Sequence, residues 1–99
     1  MYDFIIIGAG PGGASAAIFT ARAGKKTLVL DNGNSVTKRA WLDNHYGVEG
    51  ISGPDLLEAG KRQAEKAGAE FLEAKVAKLE SSKDGVLVTT DDKTYEAKE

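Results

Sequence analysis

A glycine cluster near the N-terminus constrains this chain more than any other feature. Gly8-Ala9-Gly10-Pro11-Gly12-Gly13 follows the apolar run Phe4-Ile5-Ile6-Ile7 and precedes the alanine-rich stretch from Ala14 to Ala23. The apolar run is β-branched or aromatic at consecutive positions and is stopped by glycine. That pattern predicts a strand covered on both faces, as in the interior of a parallel sheet. The alanine-rich stretch is a good helix former, and Gly24 sits where a helix C-terminal glycine belongs. Thr27 to Leu30 predicts a second apolar strand, closed by the turn Asp31-Asn32-Gly33-Asn34. Strand, glycine turn, helix and strand in this order make a βαβ unit, and 99 residues are enough for one domain.

Within the cluster, Gly8, Gly10 and Gly13 fit the spacing G-x-G-x-x-G, and Asp31 ends the second strand 18 residues beyond Gly13, close to the ~20 expected of a dinucleotide fingerprint. Each position has a physical task. Gly8 allows a tight turn out of the strand, Gly10 leaves room for the backbone to approach a pyrophosphate, and Gly13 lets the helix pack close to the strand. The helix N-terminus offers unpaired N–H groups and a partial positive charge to phosphates. A carboxylate at Asp31 accepts hydrogen bonds from ribose hydroxyls and repels a 2′-phosphate, which disfavours NADP at this site.

Beyond Asn34 the periodicity lapses. Ser35 to Gly53 is expected to be a loop with a short helix near Lys38 to Leu42, longer than a routine connection. Ser52-Gly53-Pro54-Asp55 then opens a helix to about Ala67, with Ser52 as N-cap, Pro54 in the first turn and Gly68 as terminator. Glu70 to Leu79 reads as a third strand. Val86 to Thr90 and Thr94 to Ala97 read as a hairpin with one solvated face. The expected fold class is therefore α/β, a Rossmann-like βαβαβ parallel sheet with a C-terminal antiparallel hairpin or meander.

Net charge is −2, which gives no basic surplus for nucleic acid. No apolar run approaches the ~20 residues of a membrane span. The chain has no cysteine, so it holds no disulfide, thiolate metal site or redox thiol, and a cytoplasmic setting is expected. No nucleophile, base and orienting group occur together, which leaves a hydrolase without support. His45, the single histidine, reads either as a group beside a cofactor or as a surface residue, and Trp41 as a cap on a ring or as an anchor for its loop. Lys38-Arg39 reads either as a steering pair for phosphates or as a solvated pair.

The run from Tyr2 to Gly13 resembles the N-terminus of FAD-dependent pyridine nucleotide–disulfide oxidoreductases, above all the low-molecular-weight thioredoxin reductases. The likeness continues through Thr20-Ala21-Arg22-Ala23-Gly24, Thr27-Leu28-Val29-Leu30, Gly50-Ile51-Ser52-Gly53-Pro54-Asp55-Leu56 and Gly68-Ala69-Glu70. The resemblance implies an FAD-binding domain over residues 1–99, shortened relative to the family, with NAD(P)H as electron donor only in a complete enzyme. It implies that Gly8, Gly10, Pro11, Gly12 and Gly13 hold the FAD pyrophosphate. Asp31, with Asn32 beside it, would meet the ribose, Asn44 the flavin, and the Val76 backbone the adenine. No catalytic residue and no metal ligand are expected.

The family's Gly-Gly-Gln segment is replaced here by Ser35 to Ala40, and Tyr46 stands where proline is frequent. Two other readings remain at this point: a stand-alone NAD- or ADP-binding regulatory module, and a chain that folds without a cofactor. The strand order is expected to be 3-2-1, leaving one edge of Phe4 to Ile7 open. With no Lys or Pro to protect it, that edge is expected to be covered by a second copy, a swapped segment or a stretch that departs from the family plan.

Overall fold

The computed structural model describes all 99 residues. Three layers build the fold. The middle layer is a parallel sheet of β1 (Phe4–Ile7), β2 (Thr27–Asp31) and, after four intervening elements, the strand Glu70–Glu73, in the order β1, β2, Glu70–Glu73. Phe4 aligns with Thr27 and Ile7 with Leu30, the pairing expected from the sequence. Side chains alternate across the sheet. Val29 and Ile6 join the layer formed by α1 (Pro11–Arg22) and α2 (Gly53–Ala67), whereas Leu28, Leu30 and Ile5 face the opposite layer.

The helical layer packs through small residues. Ala17 and Ala64 are fully buried, and a Cβ on Gly60 would stand 3.4 Å from the Ala14 methyl. Such contacts bring α1 and α2 close to each other and to the sheet, and limit how much apolar area this side removes from water. Both helix ends follow local rules. Ser52 Oγ accepts the Asp55 N–H at 3.2 Å, and Gly68 closes α2 in the left-handed region at φ 115°.

The loop between β2 and α2 is more structured than its sequence suggests. A single 3₁₀ turn spans Val36–Arg39, slightly earlier than expected, with Ser35 Oγ accepting the Thr37 N–H at 3.3 Å. Two short strands, β3 (Trp41–Leu42) and β4 (Ile51–Ser52), then pair antiparallel, a feature with no periodic signal at two residues each. Trp41 does not anchor this loop to the core. It is 68% exposed and lies against Gly50, its ring 3.1 Å from where a Gly50 Cβ would stand.

The expected third strand, Glu70 to Leu79, is two strands. β5 (Glu70–Glu73) belongs to the parallel sheet, and β6 (Val76–Ser82) to an antiparallel meander with β7 (Gly85–Thr90) and β8 (Thr94–Ala97). The break falls at Ala74-Lys75, where the Ala74 N–H bonds back to the Asp31 carbonyl at 2.9 Å and the chain crosses beneath the sheet. The meander is the third layer. Val88 is buried against Leu28 and Leu30, with Val76 and Tyr95 packed beside them.

The open edge of β1 differs from expectation in part. The residues after β8 turn along it: Ile5 N–H bonds the Glu99 carbonyl at 3.0 Å, while Lys98 and Glu99 donate to Tyr2 and Asp3 at 3.1 Å each. The covering stretch therefore begins within this chain, at Glu96 to Glu99, and runs parallel to β1 through a bridge between Tyr2 and Ala97. It covers the first half of the strand. Ile7, at the far end, is 50% exposed, so β1 is not buried on both faces as its composition predicts. No helix is long and apolar enough to cross a membrane.

Candidate cofactor site

The C-terminal ends of β1, β2 and β5 come together on one edge of the sheet, where ligands of open α/β sheets bind. Gly8 leaves β1 at φ 100°, a backbone that residues with a Cβ rarely adopt. Its N–H continues the parallel ladder to the Leu30 carbonyl at 2.8 Å. Gly10 is the N-cap of α1 and carries no side-chain cap, Pro11 takes the first turn, and no acid stands in that turn. The first helical bond runs from the Ala14 N–H to the Gly10 carbonyl at 3.0 Å, which leaves the Gly12 and Gly13 N–H groups for a ligand. A Cβ on Gly13 would collide with the Gly8 carbonyl oxygen, so the turn closes only with glycine there. A Cβ on Gly12 would meet nothing within 4 Å, so the space in front of this residue is open.

Asp31 is tied to this loop directly. Its Oδ1 accepts the Ala9 N–H at 3.1 Å, while Oδ2 makes no hydrogen bond within the chain. One oxygen thus fixes the glycine turn against β2, and the other has no partner within the chain. The tie to Ala9 was not visible in the sequence, because spacing locates the acid but not the amide it meets. Asp31 also lines a cleft of about 520 Å³ with Ala9, Ser35, Lys38, Lys61 and Phe71.

Asn32 Oδ1 accepts the Asn34 N–H at 3.0 Å and shapes the turn after β2. Asn32 and Val76 line a second, smaller cleft of about 190 Å³ on the meander side, with Gly8, Ala74 and Lys75. The structure therefore brings Gly8, Gly10, Pro11, Gly12, Gly13, Asp31, Asn32 and Val76 to one edge of the molecule. Asn44 stands apart: it is exposed, lines neither cleft and makes no side-chain hydrogen bond. Its neighbour His45 lines a groove of about 210 Å³ between α1 and α2, beside Pro11, Ser15 and Gln63.

A diphosphate needs N–H donors, room for close backbone approach and a positive local field. An attached ribose needs an acceptor at the end of the adjacent strand. The glycine turn, the α1 N-terminus and the free oxygen of Asp31 form such a donor and acceptor set. No group of His, Cys, Asp or Glu is arranged to hold a metal.

Fold and site together define a dinucleotide-binding α/β unit with a β-meander as its third layer. The model of the pyridine nucleotide-disulphide oxidoreductase family matches residues 2–99, and the chain belongs to that family. A thioredoxin reductase of Aquifex aeolicus is 47% identical over 98 residues, covering 93% of this chain and 30% of that protein. A thioredoxin reductase of Listeria monocytogenes is 37% identical over 99% of this chain and 32% of its own length. Among solved structures, a thioredoxin reductase of Streptococcus pyogenes superposes with TM-score 0.94 at 35% identity, over 99% of this chain and 33% of that one. The atypical thioredoxin reductase TRi of Desulfovibrio vulgaris Hildenborough gives TM-score 0.88 at 40% identity, over 98% of this chain and 33% of that one. The chain spans about a third of the length of the relatives it matches.

Proposed function

We propose that this chain is the FAD-binding part of a thioredoxin reductase-like flavoenzyme, which in complete form moves electrons from NAD(P)H to an acceptor. The observation that carries the reading is the joint between Asp31 and the glycine turn. One carboxylate oxygen holds the turn through Ala9, and the other makes no hydrogen bond within the chain, at a cleft that Asp31 and Ala9 both line. In this reading Gly8, Gly10, Pro11, Gly12 and Gly13 cradle the pyrophosphate, Asp31 and Asn32 take the ribose side, and the Val76 backbone meets the adenine. Asn44 approaches the flavin only if its exposed loop closes toward the cofactor.

When bound, the flavin supplies hydride acceptance and onward electron transfer. The chain's own residues bind and orient. The α1 N-terminus stabilises the diphosphate charge, and the Asp31 carboxylate, by repelling a 2′-phosphate, selects an unphosphorylated ribose. Dithiol exchange does not occur within these residues, since they include no cysteine. Residues 1–99 act as one cofactor-binding unit, and the uncovered end of β1 is where further sheet attaches, from more of the same fold or from a second copy.

The test is reconstitution. The purified chain incubated with FAD and desalted is expected to retain the visible absorbance of an oxidised flavin. Gly10→Val, which puts a side chain where the diphosphate lies, is expected to lose it while unfolding at the same temperature. Retention of flavin by Gly10→Val equal to the parent would remove the assignment. Binding of NAD in preference to FAD would replace it with the regulatory-module reading.

A further inference from the structure

The turn that follows β2 contains the dipeptide Asn32-Gly33. A backbone amide nitrogen can attack the side-chain carbonyl of an asparagine directly before it, and glycine carries no Cβ to crowd that approach. The chain has three asparagines, Asn32, Asn34 and Asn44, and only Asn32 precedes a glycine; Ser35 and His45 follow the other two. All three are exposed, so exposure does not set Asn32 apart.

The local fold does. Asn32 Oδ1 accepts the Asn34 N–H at 3.0 Å. The ring closed by that bond passes through Asn32 Cγ and the backbone of Gly33, so the attacking nitrogen and the attacked carbon belong to one tight turn. Attack on Cγ moves negative charge onto Oδ1, where the Asn34 N–H already stands as a donor. The Gly33 N–H makes no hydrogen bond within the chain, so the reaction breaks no backbone pairing. Lys38 Nζ lies 3.5 Å from where a Gly33 Cβ would stand and forms no ion pair. An ammonium there favours loss of the Gly33 amide proton, the step that makes the nitrogen nucleophilic.

We propose that Asn32 is a site of spontaneous deamidation, promoted by the Asn34 N–H and the Lys38 ammonium. The Gly33 nitrogen bonds to Asn32 Cγ, and the side-chain nitrogen leaves as ammonia, taking up the proton that Gly33 lost. The cyclic imide then adds water. It opens to aspartate when the new N–Cγ bond breaks, or to isoaspartate when the original peptide bond to Gly33 breaks. No oxidant or reductant enters. Either product sets a carboxylate directly beside Asp31, on the edge where an anionic diphosphate would bind. That the turn thereby ages into a weaker nucleotide binder rests on the dinucleotide reading above.

The test is to age the chain in mildly alkaline buffer, digest it and map the fragments by mass, beside a synthetic peptide of residues Leu30 to Val36. The expected result is the mass gain of replacing NH₂ by OH at Asn32 alone, with isoaspartate among the products. It is expected to proceed about fivefold faster in the folded chain than in the peptide. Lys38→Met is expected to slow it about threefold. Asp84-Gly85 can isomerise through the same kind of imide, but without a change in mass, so the two sites are told apart. Slower conversion in the folded chain than in the peptide would overturn the proposal. So would equal conversion at Asn34 or Asn44, or a Lys38→Met rate equal to the parent's. Titration of ADP into Asn32→Asp is expected to show about fivefold weaker binding than in the parent, and equal binding would overturn the stated consequence. Conversion at Asn32 in a parent that binds no ADP would uphold the modification while the dinucleotide reading falls.

Discussion

Gly13 and Asp31 divide the work of the site at the level of single residues. The spacing of the glycines and the acid was legible in the sequence because each answers a steric or electrostatic demand that few residue types meet. What spacing could not show is contact. Spacing assigns Asp31 to a ribose; the structure shows it stapling the turn through the Ala9 N–H. Gly13→Ala places a methyl against the Gly8 carbonyl oxygen. The helix must then withdraw from β1, at about 1–3 kcal/mol by analogy with other overpacked sites. Chemical denaturation is expected to show that loss, together with weaker nucleotide binding. Unchanged stability would mean that the close approach of α1 to β1 is not required.

Single elements obey their local signals where those signals are strong. The start of α2 is an example: Ser52 caps, Pro54 takes the first turn, and Gly53, flanked by both, admits the backbone of the 3₁₀ turn. Ser52→Ala is expected to cost about 1 kcal/mol, read as a lower denaturation midpoint at constant slope. A change below about 0.3 kcal/mol would show that the cap bond to Asp55 contributes little. The misjudged element was the third strand. Glu70 to Leu79 has no glycine or proline to mark its break, and the division at Ala74-Lys75 arises from tertiary structure. Asp31 captures the Ala74 N–H, and the next residues pair with β7 instead of continuing beside β2. β3 and β4 were invisible for the related reason that two-residue strands carry no period.

The whole molecule has a binding edge and, at the opposite ends of the strands, a set of polar ties. Tyr2 donates to Glu70 Oε2 at 2.6 Å, with Lys26 Nζ 4.8 Å from the Tyr2 ring centroid. The Glu70 bond, then burial, push the Tyr2 hydroxyl up to about 12. Because the folded value is raised, this contact is fully present below the ordinary value of 10.0 and is lost as pH rises through about 12. Asp3 behaves in the opposite sense. The Lys26 N–H, and then Lys98, hold its carboxyl below the ordinary range, so its contribution is present at neutral pH and lost as pH falls through the lowered value. Asp3→Asn is therefore expected to be less stable than the parent at neutral pH, with the gap closing in acid. A gap independent of pH would show that the charge plays no part.

The Asp3–Lys98 pair at 3.0 Å also helps hold the residues after β8 against β1, along part of the edge expected to be covered by a second copy, a swapped segment or a stretch that departs from the family plan. The cover could not be read locally, since Lys98 and Glu99 carry no strand pattern and pair only because β8 delivers them beside β1. Cofactor binding is assigned to the other end of that strand, where β1 enters the glycine turn. Its most direct test is a calorimetric titration of ADP into the parent chain and into Gly10→Val. Saturable one-to-one binding by the parent, and loss of at least about tenfold in affinity in a folded Gly10→Val, is the predicted result. Equal affinity in the two proteins would contradict the account.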